Sequence, residues 1–200
     1  MAIVYIHGFN SSALSFKARV LGERMAALGR SAEFHCPELD HRPGRAMAQL
    51  EALIAKEKGK AALVGSSLGG YYATYLAETN GLRAVLINPA VRPYELLAAY
   101  IGPQRNLYTG MQYEFTAQHL AELRALELAR VTPERYLLLV ATGDEVLDYR
   151  RAVSRYRGCE QVLVEGGDHG FSSFPVYADE VLRHCGVTRS RDVDLSAKGS

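Results

Sequence analysis

Residues 65–70 read Gly-Ser-Ser-Leu-Gly-Gly and follow directly on the apolar run Ala61 to Val64. A Gly-x-Ser-x-Gly placed where a buried strand gives way to a helix has the layout of a nucleophile elbow, here with Ser67 at its tip. Such a turn strains the backbone of its central residue. It also brings the positions two before and two after so close together that only small residues fit. Gly65 and Gly69 meet that demand, whereas Ser66 would be flanked at the same offsets by Val64 and Leu68, a sterically poor register. A chain built around this turn is committed to a strand–turn–helix unit, and the remaining sequence must supply its neighbours.

It does so with short β-rich apolar runs alternating with helix-period segments, the pattern of βαβ units in a mainly parallel sheet. Six strands are expected, at Ala2 to Ile6, Glu33 to Cys36, Ala61 to Val64, Ala84 to Ile87, Tyr136 to Ala141 and Glu160 to Val164. Several are continuous hydrophobic runs, as required where helices cover both faces. Between the first two strands Leu14, Leu21, Met25 and Leu28 share a helical face, with Ser11 or Ser12 as the cap and Gly29 at the exit. The next crossover helix, Arg45 to Lys58, carries Met47, Leu50 and Ile54 on one stripe, follows Pro43 and stops at Gly59. From Val91 to Pro133 no strand signal appears, although Tyr94, Tyr100, Tyr108, Tyr113 and Phe115 fall there, ahead of an amphipathic helix from Thr116 to about Arg130. An excursion of that length is too long for a plain loop and predicts a small helical cap over about 91–133.

Composition narrows the class. A chain of 200 residues that is 48% hydrophobic suits one domain with a substantial core, expected over 1–186, while the tail from Val187 to Ser200 has few apolar residues and is expected to be disordered. A formal net charge of +1 gives no electrostatic footprint for nucleic acid, and no stretch is long and apolar enough to span a bilayer. Met1 passes straight into Ala2-Ile3-Val4-Tyr5-Ile6 without the charged start of a signal peptide, and Cys36, Cys159 and Cys185 share no CxxC spacing. Reduced thiols in a cytoplasmic protein are therefore expected. The histidines show neither H-x-H nor HExxH spacing, so the expectation is no metal site and no cofactor.

With right-handed crossovers, the first and third strands lie side by side, and their carboxyl ends flank the crevice in which open α/β sheets bind ligands. The loop leaving the first strand is His7-Gly8-Phe9-Asn10 and the loop leaving the third is the Ser67 turn. Attack on an ester builds negative charge on the carbonyl oxygen, and the N–H groups of Leu68 and Phe9 are the candidate donors for it. A serine also needs a base, and the base an acid to orient it. Gly166-Gly167-Asp168-His169-Gly170-Phe171 follows the sixth strand and makes His169 the candidate base. Thr142-Gly143-Asp144-Glu145-Val146-Leu147-Asp148 follows the fifth. Asp144, first out of that strand, is the candidate acid; Glu145 should point the other way and Asp148 reads as the N-cap of a helix from Tyr149 to Tyr156. Asn10 and Tyr108 are candidate substrate contacts. His7 reads as a loop-bonding histidine, Tyr71 and Tyr72 as packing residues, and Asn88-Pro89 as a strand-ending turn that shapes the crevice floor. Arg150, Arg151, Arg155 and Arg157 read as a solvated helix face rather than an anion site.

The wording and order of these segments resemble the YqiA-type small bacterial esterases of the α/β-hydrolase superfamily. The likeness rests on His7-Gly8-Phe9-Asn10-Ser11-Ser12, Gly65 to Thr74, Leu86 to Pro93, Tyr108-Thr109-Gly110, Thr142 to Arg150 and Glu165 to His169. It implies a minimal α/β-hydrolase, with about six mainly parallel strands flanked by helices on both faces. It further implies hydrolysis of small-molecule carboxylic esters, or acyl thioesters, through Ser67, Asp144 and His169. Gly170 departs from the pattern, standing where a serine is expected. Acyl transfer to an acceptor other than water, and a non-catalytic binding role on the same fold, are the alternative readings.

Overall fold

The computed structural model describes residues 1–187; the expected tail over 188–200 lies outside the described residues, while Val187, expected to open that tail, is instead buried in the core and donates its N–H to the Leu182 carbonyl at 2.8 Å. Six strands form one sheet in the order β2-β1-β3-β4-β7-β8. They are β1 (Ala2–Ile6), β2 (Phe34–His35), β3 (Ala61–Ser66), β4 (Ala84–Ile87), β7 (Tyr136–Ala141) and β8 (Glu160–Val164), and every neighbouring pair is parallel. The chain winds outward from β1 to β2 and returns to place β3 on the other side of β1. The reversal therefore falls between β1 and β3, as the sequence predicts.

Alternation along the central strands divides the core into two layers. Val4, Ile6, Leu63, Leu86, Leu138 and Val140 face one side, where they meet α2 (Pro43–Lys56), α3 (Leu68–Asn80), α5 (Ala117–Ala125) and α6 (Tyr149–Arg155). Ile3, Tyr5, Val64, Val85, Leu137 and Leu139 face the other and pack on α1 (Phe16–Ala27) and α7 (Phe174–His184). Both faces are covered, and for that reason β1, β3, β4 and β7 are buried along their whole length and mostly apolar. Met47, Leu50 and Ile54 are buried on α2 as expected. The first crossover helix starts later than its pattern suggests. Ser12 Oγ accepts the Leu14 N–H at 3.0 Å and closes a turn ahead of the helix, so Leu14 is left 67% exposed and α1 begins at Phe16.

The stretch between β4 and β7 holds helices, α4 (Pro93–Leu97) and α5, and also an antiparallel hairpin of β5 (Gly102–Arg105) and β6 (Gln112–Phe115). The hairpin corrects the expectation of a strand-free cap. Gly102 and Pro103 sit inside β5, where strand propensity is poor, and β6 shows a period-two pattern for only four residues. The helix after it is shorter than its amphipathic pattern, running from Ala117 to Ala125 with Thr116 and His119 forming a capping box. The hairpin is tied to the loop after β1 rather than to the sheet. Asn106 Nδ2 donates to the Ser11 carbonyl at 2.7 Å and Leu107 N–H to the Asn10 carbonyl at 3.0 Å. Phe9 packs edge-on against Phe115 and Tyr100, with ring centroids 5.4 and 5.8 Å away.

Two buried histidines make the fold sensitive to acid. Leu39 N–H donates to His7 Nε2 and Thr116 N–H to His119 Nδ1, each at 3.2 Å, which only a neutral ring can accept. Burial holds both rings below the ordinary histidine value. With the folded value below the unfolded one, their contribution to stability is complete above about pH 6.5 and is lost as the pH falls below it. The loss is up to about 1.4 kcal/mol per pH unit for each ring until the folded value is reached. Urea midpoints at about pH 7.5 and pH 5.5 should show this fall, and the double variant His7→Gln, His119→Gln should flatten it; an unchanged slope would place its origin elsewhere.

Candidate active site

The β3–α3 turn holds Ser67 at φ 55° and ψ −121°, a conformation an L-residue adopts only when its surroundings impose it. A β-carbon at Gly65 would overlap the Gly69 carbonyl, and one at Gly69 would overlap the carbonyls of Ile6 and His7. The two glycines thus let the turn close and let it lie against the end of β1. Gly8 packs on the serine itself: a β-carbon there would stand 3.2 Å from Ser67 Cβ. Leu68 opens α3, so its N–H belongs to the first turn, where no helical carbonyl is available to it.

His169 Nε2 lies 3.1 Å from Ser67 Oγ, and its Nδ1 lies 2.8 Å from Asp144 Oδ2. The Asp144 carboxylate is 1% exposed. Burial pushes its pKa up, but the hydrogen bond from His169 and those from the N–H groups of Leu147 and Val146, both at 2.8 Å, outweigh that and hold it below the usual carboxylate range. An ionised carboxylate only accepts, so Nδ1 carries the ring proton and Nε2 presents a lone pair to the serine hydroxyl. Three side chains separated by 25 and 102 residues along the chain therefore form one hydrogen-bonded row.

Asp148 caps α6, accepting the Arg150 N–H at 3.0 Å. Glu145 turns back, contrary to expectation, and accepts the His169 backbone N–H at 2.9 Å. His7 donates through Nδ1 to the Gly8 carbonyl at 3.1 Å while accepting from Leu39, the loop-bonding role read from the sequence. Asn10 is occupied by the hairpin: it accepts from Tyr113 Oη at 2.6 Å and donates to Gln104 Oε1 at 3.2 Å. Tyr108 is half exposed and, with Phe9, Ser67 and His169, borders a cavity of about 340 Å³. A larger cavity of about 520 Å³ between α3 and α6 contains none of Ser67, Asp144 or His169. Its arginines are engaged already, Arg151 with Glu95 at 2.6 Å and Arg155 with the Leu128 carbonyl at 2.6 Å. Among the described residues, no cluster of three or more histidine, cysteine, aspartate or glutamate side chains could hold a metal ion.

Asn88 has a larger part than a strand-ending turn. Its φ is 41°, its Oδ1 accepts the Ala141 N–H at 2.9 Å, and its Nδ2 donates to the carbonyls of Asp168 and His169 at 3.0 and 3.2 Å. One buried amide thus joins the ends of β4 and β7 to the histidine loop. Lys17, on α1, holds the same loop from the other side, donating to the Gly170 carbonyl at 2.6 Å. The sequence signals for Asn88 are its place at the carboxyl end of a strand and within the Leu86 to Pro93 segment; Lys17, one of four charged residues on α1, gives none.

A family model described as "Uncharacterised protein family (UPF0227)" matches residues 2–185. Among solved structures, the chain is similar to the alpha/beta hydrolase domain-containing protein 10 from mouse, with a TM-score of 0.67, 18% identity, and 91% of this chain and 89% of that one covered. A putative hydrolase from Agrobacterium vitis S4 matches with a TM-score of 0.66 and 19% identity, over 91% and 86% of the two chains. Est1E from Butyrivibrio proteoclasticus, solved with ferulic acid bound, matches with a TM-score of 0.63 and 15% identity, again over 91% and 86%. At these identities the likeness establishes the α/β-hydrolase fold. No helix among the described residues is long and apolar enough to cross a membrane.

Replacing Asn88 by alanine strands the buried Ala141 N–H and releases the histidine loop from β4. The expected cost is about 2–4 kcal/mol of unfolding free energy, measured by urea denaturation. A loss below about 0.5 kcal/mol would mean that the amide is dispensable to the loop.

Proposed function

The chain belongs to the UPF0227 family, and from that premise we propose that it is a serine esterase that hydrolyses carboxylic esters, with acyl thioesters open to the same chemistry, on a single domain spanning 1–186. The observation that carries the reading is the row Ser67–His169–Asp144, with contacts of 3.1 and 2.8 Å, at the carboxyl edge of a parallel sheet. Strain at the serine and a buried carboxylate on the second ring nitrogen of the histidine are both features that a merely structural hydroxyl would not need.

In this reading His169 Nε2 takes the proton from Ser67 Oγ as the oxygen attacks the ester carbonyl. The carbonyl oxygen becomes an oxyanion and is met by the N–H groups of Leu68 and Phe9, each donor contributing about 3–4 kcal/mol to the transition state. The imidazolium formed is stabilised by the ionised, buried Asp144. It then returns the proton to the departing alcohol oxygen, leaving an acyl-serine. Water enters, His169 takes its proton, and the same sequence in reverse frees the carboxylic acid and restores the serine. Proton transfer by the histidine contributes about 10² to 10⁴ in rate. The close approach of Gly8 is what lets the Phe9 amide come near Ser67.

Turnover of p-nitrophenyl esters from acetate to palmitate, alongside acyl-CoA thioesters, tests the assignment. Ser67→Ala and His169→Ala should abolish activity with the folded state intact by circular dichroism, and Ser67→Ala should also lose labelling by a fluorophosphonate. Asp144→Asn should cost on the order of 10⁴ in kcat by favouring the wrong tautomer. Activity retained in Asp144→Asn would remove Asp144 from the role of orienting acid.

A further inference from the structure

The cavity beside Ser67 has an unusual floor. It is formed by Ser15 and Lys17, at the start of α1, together with Tyr5. Lys17 is only 9% exposed, and among the described residues its ammonium forms no ion pair. One of its three donors is spent on the Gly170 carbonyl. The carboxylates of Asp168 and Asp144 act on it without forming an ion pair, Asp168 being hydrogen-bonded to Ser172 Oγ at 2.6 Å and Asp144 to His169 at 2.8 Å. Ser15, a residue 7% exposed, has its Oγ buried beside the Tyr5 hydroxyl. The first turn of α1 contains no acidic residue and no side chain caps it. A buried ammonium with donors to spare and a helix N-terminus that has neither an acidic residue nor a side-chain cap both favour negative charge at one spot.

Position decides which part of a substrate would supply that charge. The cavity is bordered by Ser67, His169 and Gly170, and in the reading above His169 is the group that protonates the leaving oxygen. We propose that this cavity binds the alcohol part of an ester and that Lys17, Ser15 and the first turn of α1 recognise an anionic group on it, making the preferred substrates esters of hydroxy acids. A volume of about 340 Å³ has room for a short chain of this kind. The inference rests on the esterase reading for the reaction, though not for the binding.

The test uses O-acetylated hydroxy acids of increasing length, from acetoxyacetate to 6-acetoxyhexanoate, each compared with its neutral amide by release of acetate. The wild-type enzyme should favour the carboxylate at the best length by at least tenfold in kcat/KM, the amount expected for a charge-assisted hydrogen bond. Lys17→Met should bring that ratio down by about tenfold, Lys17→Arg should keep most of it, and Ser15→Ala should lower it by a smaller factor. A wild-type ratio near one at every length, or a ratio that Lys17→Met and Ser15→Ala leave unchanged, overturns the proposal while the esterase reading stands. If no ester is turned over and Ser67 takes no fluorophosphonate, the esterase reading fails, and titration of 4-hydroxybutanoate into Ser67→Ala protein decides the site by itself. Saturable binding that is weakened by adding Lys17→Met upholds it, and no binding overturns it.

Discussion

Everything at the carboxyl edge of the sheet depends on how closely the β3–α3 turn can approach the end of β1. The two strands lie side by side, and the carbonyls of Ile6 and His7 occupy the space where a side chain at position 69 would project. Glycine there converts a steric limit into a fixed spacing, and Gly8 packs on Ser67. A larger residue would push the serine outward and separate it from both the first loop and His169. The strain at Ser67 is sustained because its own N–H and carbonyl are used by the frame, the first by Ile87 at 3.1 Å and the second by the amides of Gly70 and Ala90 at 2.9 and 3.1 Å.

The histidine is held in a different manner. Its loop has no sheet or helix geometry to define it, so side chains do the work from four directions. Asp144 grips the ring, Glu145 the amide of His169, Asn88 two successive carbonyls and Lys17 the next one. Their combined effect is that the ring needs no rearrangement to meet the serine. The missing side chain at position 170 fits this arrangement, since a β-carbon would sit 3.1 Å from Asp168 Oδ1 in a loop already drawn tight.

How much of this can be read from the chain follows from the range of the forces involved. All six main strands and the order of β1, β2 and β3 are legible, because buried parallel strands must be apolar and right-handed crossovers leave few arrangements. The Ser67 turn, His169 and Asp144 are legible for a related reason: each stands in the loop that leaves the carboxyl end of a strand, where topology alone brings loops together. The hairpin is not, because β5 and β6 pair with each other and need no hydrophobic run to do so. Asn88, Glu145 and Lys17 are opaque too. A polar side chain finds its partners across 24 to 153 residues of sequence, and neither periodicity nor composition carries that distance. Asn10 shows the converse case, in which a plausible contact residue has both ends of its amide taken up by the insert.

The hairpin's independence from the main sheet has an evolutionary consequence. Because β5 and β6 share no ladder with the six-stranded sheet, their exposed positions can change without altering the register of any strand that fixes Ser67, Asp144 or His169, while Phe115 stays buried in the core. Its moorings to Asn10 and Ser11 nevertheless keep its tip beside the mouth of the crevice. Selection thus has a replaceable visor on an unchanging frame, so a new preference for ligand shape can be acquired by exchanging a few surface residues rather than by redesigning the core.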